Sequence, residues 1–252
     1  MSVERTGAGD LAGDGPAPQD AVGLETLRVM QEAWRYNAWQ YRRIAPYVAS
    51  RVCEIGSGIG SMSELLLSTP RERVVLTDRD AGYLRTLRQR FAARPPVAVE
   101  WLDLPDPDAA DRFQAYRLDT VVALNVIEHI EDDMEAMRTI RAMLQPGGRF
   151  VMLVPALPAL HGTLDQELGH FRRYTRSVLD ARLAQAGFQA ERIFYFNLVG
   201  AFGWWFNARV LRRPQIAAAQ VRWFDAFVPF LRFEDLFRLP FGQSVISVAV
   251  KV

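Results

Sequence analysis

The chain has 252 residues, of which 50% are hydrophobic, and its 30 basic and 29 acidic side chains leave a formal net charge of +1. Nonspecific nucleic-acid binding requires a net basic surface, so we expect no nucleic-acid partner, and this length fits one domain with elaborations. Lys251 is the only lysine and Cys53 the only cysteine, which leaves almost no candidate for Schiff-base chemistry and excludes an intramolecular disulfide.

The first segment differs in composition from the rest of the chain. Residues 1–21 are rich in Gly, Ala, Pro and Asp without a continuous apolar stretch, so we predict a disordered leader that is neither a signal peptide nor a membrane anchor. Residues 22–49 carry apolar side chains at roughly helical spacing, which predicts one or two helices that form an N-terminal cap. Residues 50–252 are predicted to form the main domain.

Seven short apolar segments follow the cap. They are residues 51–55, 74–76, 97–102, 120–124, 150–154, 190–196 and 244–250. Their apolar residues are continuous rather than alternating, and helical stretches separate them, which predicts strands buried on both faces. Thr175 and Gly187 are predicted to begin and end one such helix. The fold class predicted from this pattern is α/β, a doubly wound, Rossmann-like, seven-stranded sheet with helices on both faces.

An aromatic-rich segment, the aromatic insertion (residues 198–241), precedes the last predicted strand and is predicted to be helical. Residues 193–206 are too short and too interrupted to span a bilayer, which requires about 20 apolar residues. Three interpretations stay open: packing in the core or as a lid, which we favour, an apolar wall of the substrate site, and weak contact of residues 193–241 with a membrane surface.

The turn after the first predicted strand carries the main chemical signal. Glu54 stands two residues before Gly56, and Gly58 and Gly60 complete a Gly-x-Gly-x-Gly spacing. Glycines there let a ligand lie against bare main chain at a helix N-terminus. The dinucleotide-binding motif would need a further glycine where Ser61 stands. The pattern resembles motif I of the class I S-adenosylmethionine-dependent methyltransferases.

The resemblance extends from residue 51 to residue 154, and it implies a set of cofactor contacts. Glu54 would face the methionine ammonium, directly or through water, and Asp78 would accept from both ribose hydroxyls. Asp103 would receive the adenine amino group, although a turn or helix-cap role is the alternative. The full set implied for S-adenosyl-L-methionine, or its product S-adenosyl-L-homocysteine, is Glu54, Gly56, Ser57, Gly58, Gly60, Asp78, Arg79, Asp103, Leu104, Asn125 and Val126.

Candidates for the acceptor side come from three segments. His129 and His170 are the imidazoles that we nominate as catalytic, should the acceptor need deprotonation; a main-chain role at a helix start is the alternative for His129. The substrate-binding candidates are Tyr36, Trp39 and Tyr41 of the cap together with Arg172 and Tyr174. Helix packing onto the sheet is the alternative for the first three, and loop-to-core hydrogen bonding for the other two.

Glu128, His129 and Asp132 carry side chains that could bind a metal ion. Carboxylates are favoured at a helix start in any case, so we expect no metal site here. The predicted function is methyl transfer to a small, partly apolar acceptor. The alternatives are non-methyl chemistry on the same cofactor, such as cyclisation, and an NAD(P)-dependent oxidoreductase, for which Arg79 would receive a ribose 2′-phosphate. We expect the chain to be a monomer or a homodimer. A single cysteine fits a reducing compartment, so we expect the protein to be located in the cytoplasm.

Overall fold

The structure is a computed structural model that describes residues 21–207 and 218–252. The predicted leader, apart from its last residue, lies outside this range, as do residues 208–217 of the aromatic insertion. The two described parts contain the sheet, the helices on both of its faces, and residues 198–207 and 218–241 of the insertion.

A seven-stranded sheet forms the centre and confirms the predicted fold class. Its strand order is β3-β2-β1-β4-β5-β7-β6, with the first five strands parallel and β7 antiparallel to both β5 and β6. The strands are β1 (Arg51–Ile55), β2 (Arg73–Asp78), β3 (Val97–Trp101), β4 (Thr120–Leu124), β5 (Arg149–Pro155), β6 (Phe188–Phe196) and β7 (Ser244–Lys251). All seven predicted strands are therefore present.

Helices cover both faces of this sheet. They are α1 (Ala21–Glu32), α2 (Trp34–Ile44), α3 (Ser61–Leu66), α4 (Ala81–Phe91), α5 (Ala109–Phe113), α6 (Asp133–Met143), α7 (Thr163–Glu167), α8 (Arg176–Gln185), α9 (Leu198–Trp205) and α10 (Ala218–Leu231). Val121 of β4 packs in the cluster that includes α5, α6 and α8, whereas its neighbour Val122 packs with α2, α4 and α10. Successive strand residues thus feed opposite cores, which explains why the strands read as continuous apolar runs.

The predicted caps of α8 are observed. The Thr175 hydroxyl accepts from the Val178 N–H at 3.2 Å, and Gly187 after the helix has a φ of +84°. A bond of this kind satisfies one of the unpaired N–H groups of a helix start, while a positive φ suits glycine after a helix end. These two residues set the position of the helix that follows residues 156–175.

The cap helix α2 is bound to the aromatic insertion by two carboxylates. Asp225 of α10 accepts from the Tyr36 main-chain N–H at 2.8 Å. Asp235, which follows α10, accepts from the Trp39 indole N–H at 3.1 Å and from the Arg43 guanidinium at 2.9 Å. Residues distant in sequence therefore form one packed unit on this face of the sheet.

The described part of the aromatic insertion is only partly buried, so core packing, one half of the expectation that we favoured, holds for some of its side chains and not for others. Trp204, Val221 and Val228 face inward. Most of its other large apolar side chains are exposed, namely Phe202, Trp205, Phe206, Trp223, Phe227, Phe230, Phe233, Leu236 and Phe237. Within the described residues, no helix has the length and apolar content needed to cross a membrane.

Candidate active site

The glycine turn between β1 and α3 is closely packed. Gly56 and Gly58 have φ values of +69° and +53°, which side chains of L-residues rarely adopt. A Cβ added at Gly56 would lie 2.6 Å from Val126 Cγ2, and one at Gly58 would lie 2.9 Å from Leu27 Cδ1. Leu27 of α1 therefore lies directly over the turn, so a cap helix covers the place where we expect the cofactor.

Asp78, at the end of β2, holds this turn in place. Its Oδ2 accepts from the Gly58 main-chain N–H at 2.9 Å, and its Oδ1 accepts from the Asp80 N–H at 3.0 Å. Burial raises the pKa of Asp78, although the two main-chain donors act in the opposite direction. Each carboxylate oxygen keeps a lone pair beyond these bonds, which is what two vicinal hydroxyls would need.

Glu54 lies behind the turn and is buried. Its carboxylate accepts from the hydroxyl of Ser63 in α3. Burial raises the pKa of Glu54 to about 7, and neighbouring Asp78 contributes in the same direction. A nearby cation would favour its ionised form.

The ends of β2, β3 and β4 complete this edge of the sheet. The Leu102 N–H donates to the Asp78 carbonyl at 3.1 Å, so Asp103, which is exposed, adjoins the Asp78 main chain. Arg79 is also exposed, and Leu104 is buried.

On the other side, Asn125 has a φ of +55° and Val126 contacts Gly56. The implied cofactor residues thus gather along the carboxyl ends of β1 to β4, the edge where open α/β sheets bind ligands.

His129 and His170 are brought together although 41 positions separate them in the sequence. Their ring centroids are 4.7 Å apart, with the ring planes at 82°. His129 follows β4, whereas His170 belongs to the segment between β5 and α8, here called the histidine loop (residues 156–175). The structure therefore places both nominated imidazoles in one cluster, and the His129 main-chain N–H donates to the Val126 carbonyl at 2.9 Å.

Sequence reasoning missed the residues that support this pair. Asp165 Oδ1 lies 2.9 Å from His170 Nδ1 and 2.7 Å from Arg173 Nε. Burial alone would raise the pKa of Asp165, but His170 and Arg173 outweigh it and hold the pKa below its ordinary value. The carboxylate is therefore an acceptor only, so His170 Nδ1 donates the hydrogen bond that joins the two side chains.

Glu128, which the sequence analysis considered only as a metal candidate, also belongs to this cluster. It is 0% exposed, and neither carboxylate oxygen has a hydrogen-bond partner. Burial raises the pKa of Glu128 to about 8. Its position before His129 was visible in the sequence, but its burial depends on the loop that closes over it.

Arg172 and Tyr174 make hydrogen bonds from the loop to the core, which was the alternative to substrate binding for both residues. The Arg172 guanidinium donates to the carbonyls of Ile130 and Glu131, each at 2.6 Å. Tyr174 is buried, and its hydroxyl donates to Asp133 Oδ2 at 2.7 Å. These bonds hold the histidine loop against the start of α6, so the two side chains fix the loop instead of lining an open site.

The three aromatic candidates of the cap separate into two groups. Tyr36 and Trp39 are buried and pack against Phe196, with Trp39 and Phe196 centroids 4.5 Å apart. The Tyr41 hydroxyl lies 3.0 Å from Thr69 Oγ1, at the end of β1 opposite to the glycine turn. This arrangement corresponds to helix packing on the sheet, while Leu27, which the sequence analysis did not single out, contacts the turn.

Comparisons with known proteins identify relatives of this chain. The methyltransferase domain family matches residues 53–150. A probable S-adenosylmethionine-dependent methyltransferase of Mycolicibacterium smegmatis is 30% identical over 182 residues, which are 70% of this chain and 68% of that protein. The polyketide synthase component of lovastatin nonaketide synthase from Aspergillus terreus is 30% identical over 111 residues, 42% of this chain, and the match spans only 4% of that synthase.

A solved structure of similar fold is a SAM-dependent methyltransferase from Archaeoglobus fulgidus. Its TM-score is 0.57 at 16% identity, and the match covers 92% of this chain and 100% of the other. At this identity the likeness shows the fold alone.

Proposed function

Since the chain belongs to the S-adenosylmethionine-dependent methyltransferases, we propose that it methylates a small, partly apolar acceptor, such as a lipid-like, prenyl, aromatic or other specialised metabolite. The observation that carries the acceptor class is the exposed aromatic surface beside the histidine loop. The lovastatin synthase component, a relative over part of the chain, also supports a polyketide-type acceptor.

The residues at the sheet edge fit the family's cofactor. Gly56 and Gly58 leave no room for side chains, and Asp78 is anchored with lone pairs to spare. S-adenosylmethionine supplies, when bound, an electrophilic methyl group on a sulfonium sulfur. Within this proposal Asp78 holds the ribose, Glu54 faces the ammonium group, and the main chain at Asn125 and Val126 lies along the methionine side.

His129 and His170 are proposed to activate the acceptor. A methyl sulfonium is already reactive, so alignment of the acceptor supplies much of the rate, roughly 7 to 11 kcal/mol of the barrier. Favouring the deprotonated acceptor adds about 100- to 10,000-fold. Asp165 fixes the orientation of His170, which supports a role for this imidazole at the reacting atom.

The aromatic surface adjoins the histidine loop through α9. Trp204 of α9 packs against Leu164 of α7, and the Arg173 guanidinium lies 4.7 Å from the Trp204 ring centroid. The outward side chains of α9, Phe202 and Trp205, are about half exposed. Large exposed apolar patches mark ligand, partner or membrane contacts, so this surface supports an apolar acceptor that arrives along α9 and α10.

The same surface supports the weak membrane contact that the sequence analysis left open as one of three interpretations. Arg222, Arg232 and Arg238 are exposed among the aromatic side chains. The acidic residues of this region, Asp225, Glu234 and Asp235, are instead engaged in hydrogen bonds to the cap and to α9. A surface of rings and arginines with inward acids suits an anionic lipid interface.

A methyl-transfer screen tests the proposal. The protein is incubated with labelled cofactor and a panel of lipid-like, prenyl, aromatic and polyketide-type acceptors, and products are identified by mass spectrometry. We expect His170→Ala to lose turnover but keep cofactor binding, while His161→Gln, in the same loop, keeps both. Thioadenosine products without a methylated acceptor would instead favour non-methyl chemistry on this cofactor.

A further inference from the structure

Three side chains with metal-binding atoms converge beside the cofactor edge. Glu128 and His129 come from the turn after β4, and His170 comes from the histidine loop. One ligand atom from each lies within 4.8 Å of the others. Since metal bonds of about 2.0 to 2.2 Å place ligand atoms roughly 3 to 4 Å apart, small side-chain rotations would bring these atoms to coordination distance.

The burial of Glu128 points to a missing cationic partner. Its side chain is 0% exposed, and both oxygens lack a hydrogen-bond donor. Buried carboxylates are ordinarily paired, hydrogen-bonded or bound to a metal. Arg173 attracts Glu128 electrostatically, but its hydrogen bonds go to Asp165 and to the Ala156 carbonyl, so neither Glu128 oxygen receives a donor from it.

The surroundings of His170 give a second, independent indication. A histidine that binds a metal through one ring nitrogen commonly donates its other N–H to a carboxylate. His170 Nδ1 lies 2.9 Å from Asp165 Oδ1, and Asp165 in turn accepts from Arg173 and from the Gly162 N–H. This arrangement fixes the ring and leaves Nε2 as the ring nitrogen with which His170 could bind a metal.

We propose that Glu128, His129 and His170 bind one divalent first-row metal ion. Two imidazoles and one carboxylate suit Zn²⁺, Fe²⁺ or Mn²⁺ better than Ca²⁺ or Mg²⁺, which prefer oxygen ligands. From the sequence we expected no metal site, and the third candidate ligand there was Asp132. Asp132 instead caps α6 by accepting from the Glu135 N–H at 2.9 Å, and the histidine loop supplies the third ligand.

This site specifies the acceptor further, in a step that rests on the proposed function and in which His129 and His170 activate the acceptor through the metal and not as bases. Three protein ligands leave coordination positions for an acceptor that presents a hydroxyl oxygen. Coordination favours the loss of the hydroxyl proton to solvent. The oxygen electron pair then forms the bond to the methyl carbon, and the electrons of the broken C–S bond stay on sulfur.

Metal binding is tested without cofactor or acceptor, so its result is independent of the methyl-transfer screen. The full chain is stripped with a chelator, freed of it, and titrated with Zn²⁺ by calorimetry; Co²⁺ replaces Zn²⁺ for visible absorption. We expect one ion per chain and ligand-field bands typical of imidazole coordination. Glu128→Gln and His170→Ala should each bind Zn²⁺ at least 10-fold more weakly.

Glu131→Gln is the matched control, because it removes an exposed carboxylate three residues away and should leave the Zn²⁺ affinity unchanged. Gln keeps the shape of Glu128, which has no hydrogen bond to lose, and the melting temperature of each metal-free variant verifies folding. Absence of stoichiometric binding, or equal affinity in Glu128→Gln, His170→Ala and the wild type, would overturn the metal site. Metal binding that responds to these variants would support it even if no acceptor in the screen were methylated.

Discussion

At the scale of single residues, Asp78 connects the fold to the proposed cofactor site. Its carboxylate accepts from the main-chain N–H groups of Gly58 and Asp80, and it stands at the carboxyl end of β2. Asp78→Asn keeps the shape but loses the charge, and its amide can accept from only one of the two main-chain donors. Charge-assisted hydrogen bonds contribute roughly 1.5 to 3 kcal/mol, so we expect the affinity for S-adenosylhomocysteine to fall about 10- to 100-fold.

Calorimetry with purified wild type and Asp78→Asn measures this change. Asp80→Asn is a useful control, since Asp80 caps α4 and its own main-chain N–H donates to Asp78. Equal affinities of Asp78→Asn and the wild type would show that the ribose contact lies elsewhere.

Glu54 should make stability depend on pH. Its pKa is raised by burial to about 7, against an ordinary value of 4.5, so the folded protein keeps a proton that the unfolded chain releases first. The stabilisation is present below about pH 4.5 and is lost as the pH rises through 7. Relative to Glu54→Gln, the wild type should lose about 1 to 3 kcal/mol of unfolding free energy between pH 5 and pH 8.

Urea unfolding of both proteins at the two pH values, without cofactor, measures the difference. The same pH dependence in both proteins would mean that Glu54 titrates normally. Asp78, whose pKa is also raised by burial, is present in both proteins, so its contribution to the pH dependence cancels in the comparison.

At the scale of elements, the two faces of α10 should respond oppositely to substitution. Trp223, Phe227 and Phe230 are 69%, 52% and 72% exposed, whereas Val228 is 1% exposed. Exposed substitutions usually change stability by no more than about 0.5 kcal/mol each, so the triple serine variant should melt near the wild-type temperature. It should nevertheless lose most of its binding to anionic vesicles and its turnover with apolar acceptors.

Val228→Ala is the matched control. It removes two buried methyl carbons and should lower the free energy of unfolding by about 2 kcal/mol, while vesicle binding persists. Vesicle sedimentation and thermal unfolding of the two variants separate these effects. A triple variant that sediments like the wild type would contradict the membrane contact.

Some elements could be predicted from sequence and others could not. The seven strands were predictable because burial on both faces leaves continuous apolar runs, and α8 was bounded by Thr175 and Gly187. The orientation of the aromatic insertion was not predictable, since a ring-rich helix has the same local pattern whether its rings face a core or solvent. Only the tertiary contacts of Trp204 and Val228 decide it.

The site shows the same division. Residues of the glycine turn and Asp78 follow single strands, so their meeting at one sheet edge is a consequence of parallel topology. The pairing of His129 with His170 and the support from Asp165 depend on how a loop closes over β4, which no local spacing encodes. Buried carboxyl groups such as that of Glu128 are likewise defined by tertiary packing.

At the scale of the whole molecule, cofactor binding should stabilise the fold cooperatively. A ligand at 100 times its dissociation constant adds about 2.7 kcal/mol to the unfolding free energy, which corresponds to roughly 5 to 10 °C in a protein of this size. We expect this shift with S-adenosylmethionine and S-adenosylhomocysteine and none with NAD or NADP. A thermal-shift panel measures it, and a shift with the nicotinamide cofactors alone would reverse the assignment.

The two carboxylates that join α2 to the insertion bear on protein engineering. Asp225 and Asp235 bind Tyr36, Trp39 and Arg43, so the helix that follows α1 and the surface proposed to receive the acceptor are attached to each other. A grafted insertion without carboxylates at these two positions would leave the main-chain donor of Tyr36 and the indole of Trp39 without their present acceptors. Chimeras meant to change acceptor range should therefore exchange residues 34–44 together with residues 198–241, as one transplanted module.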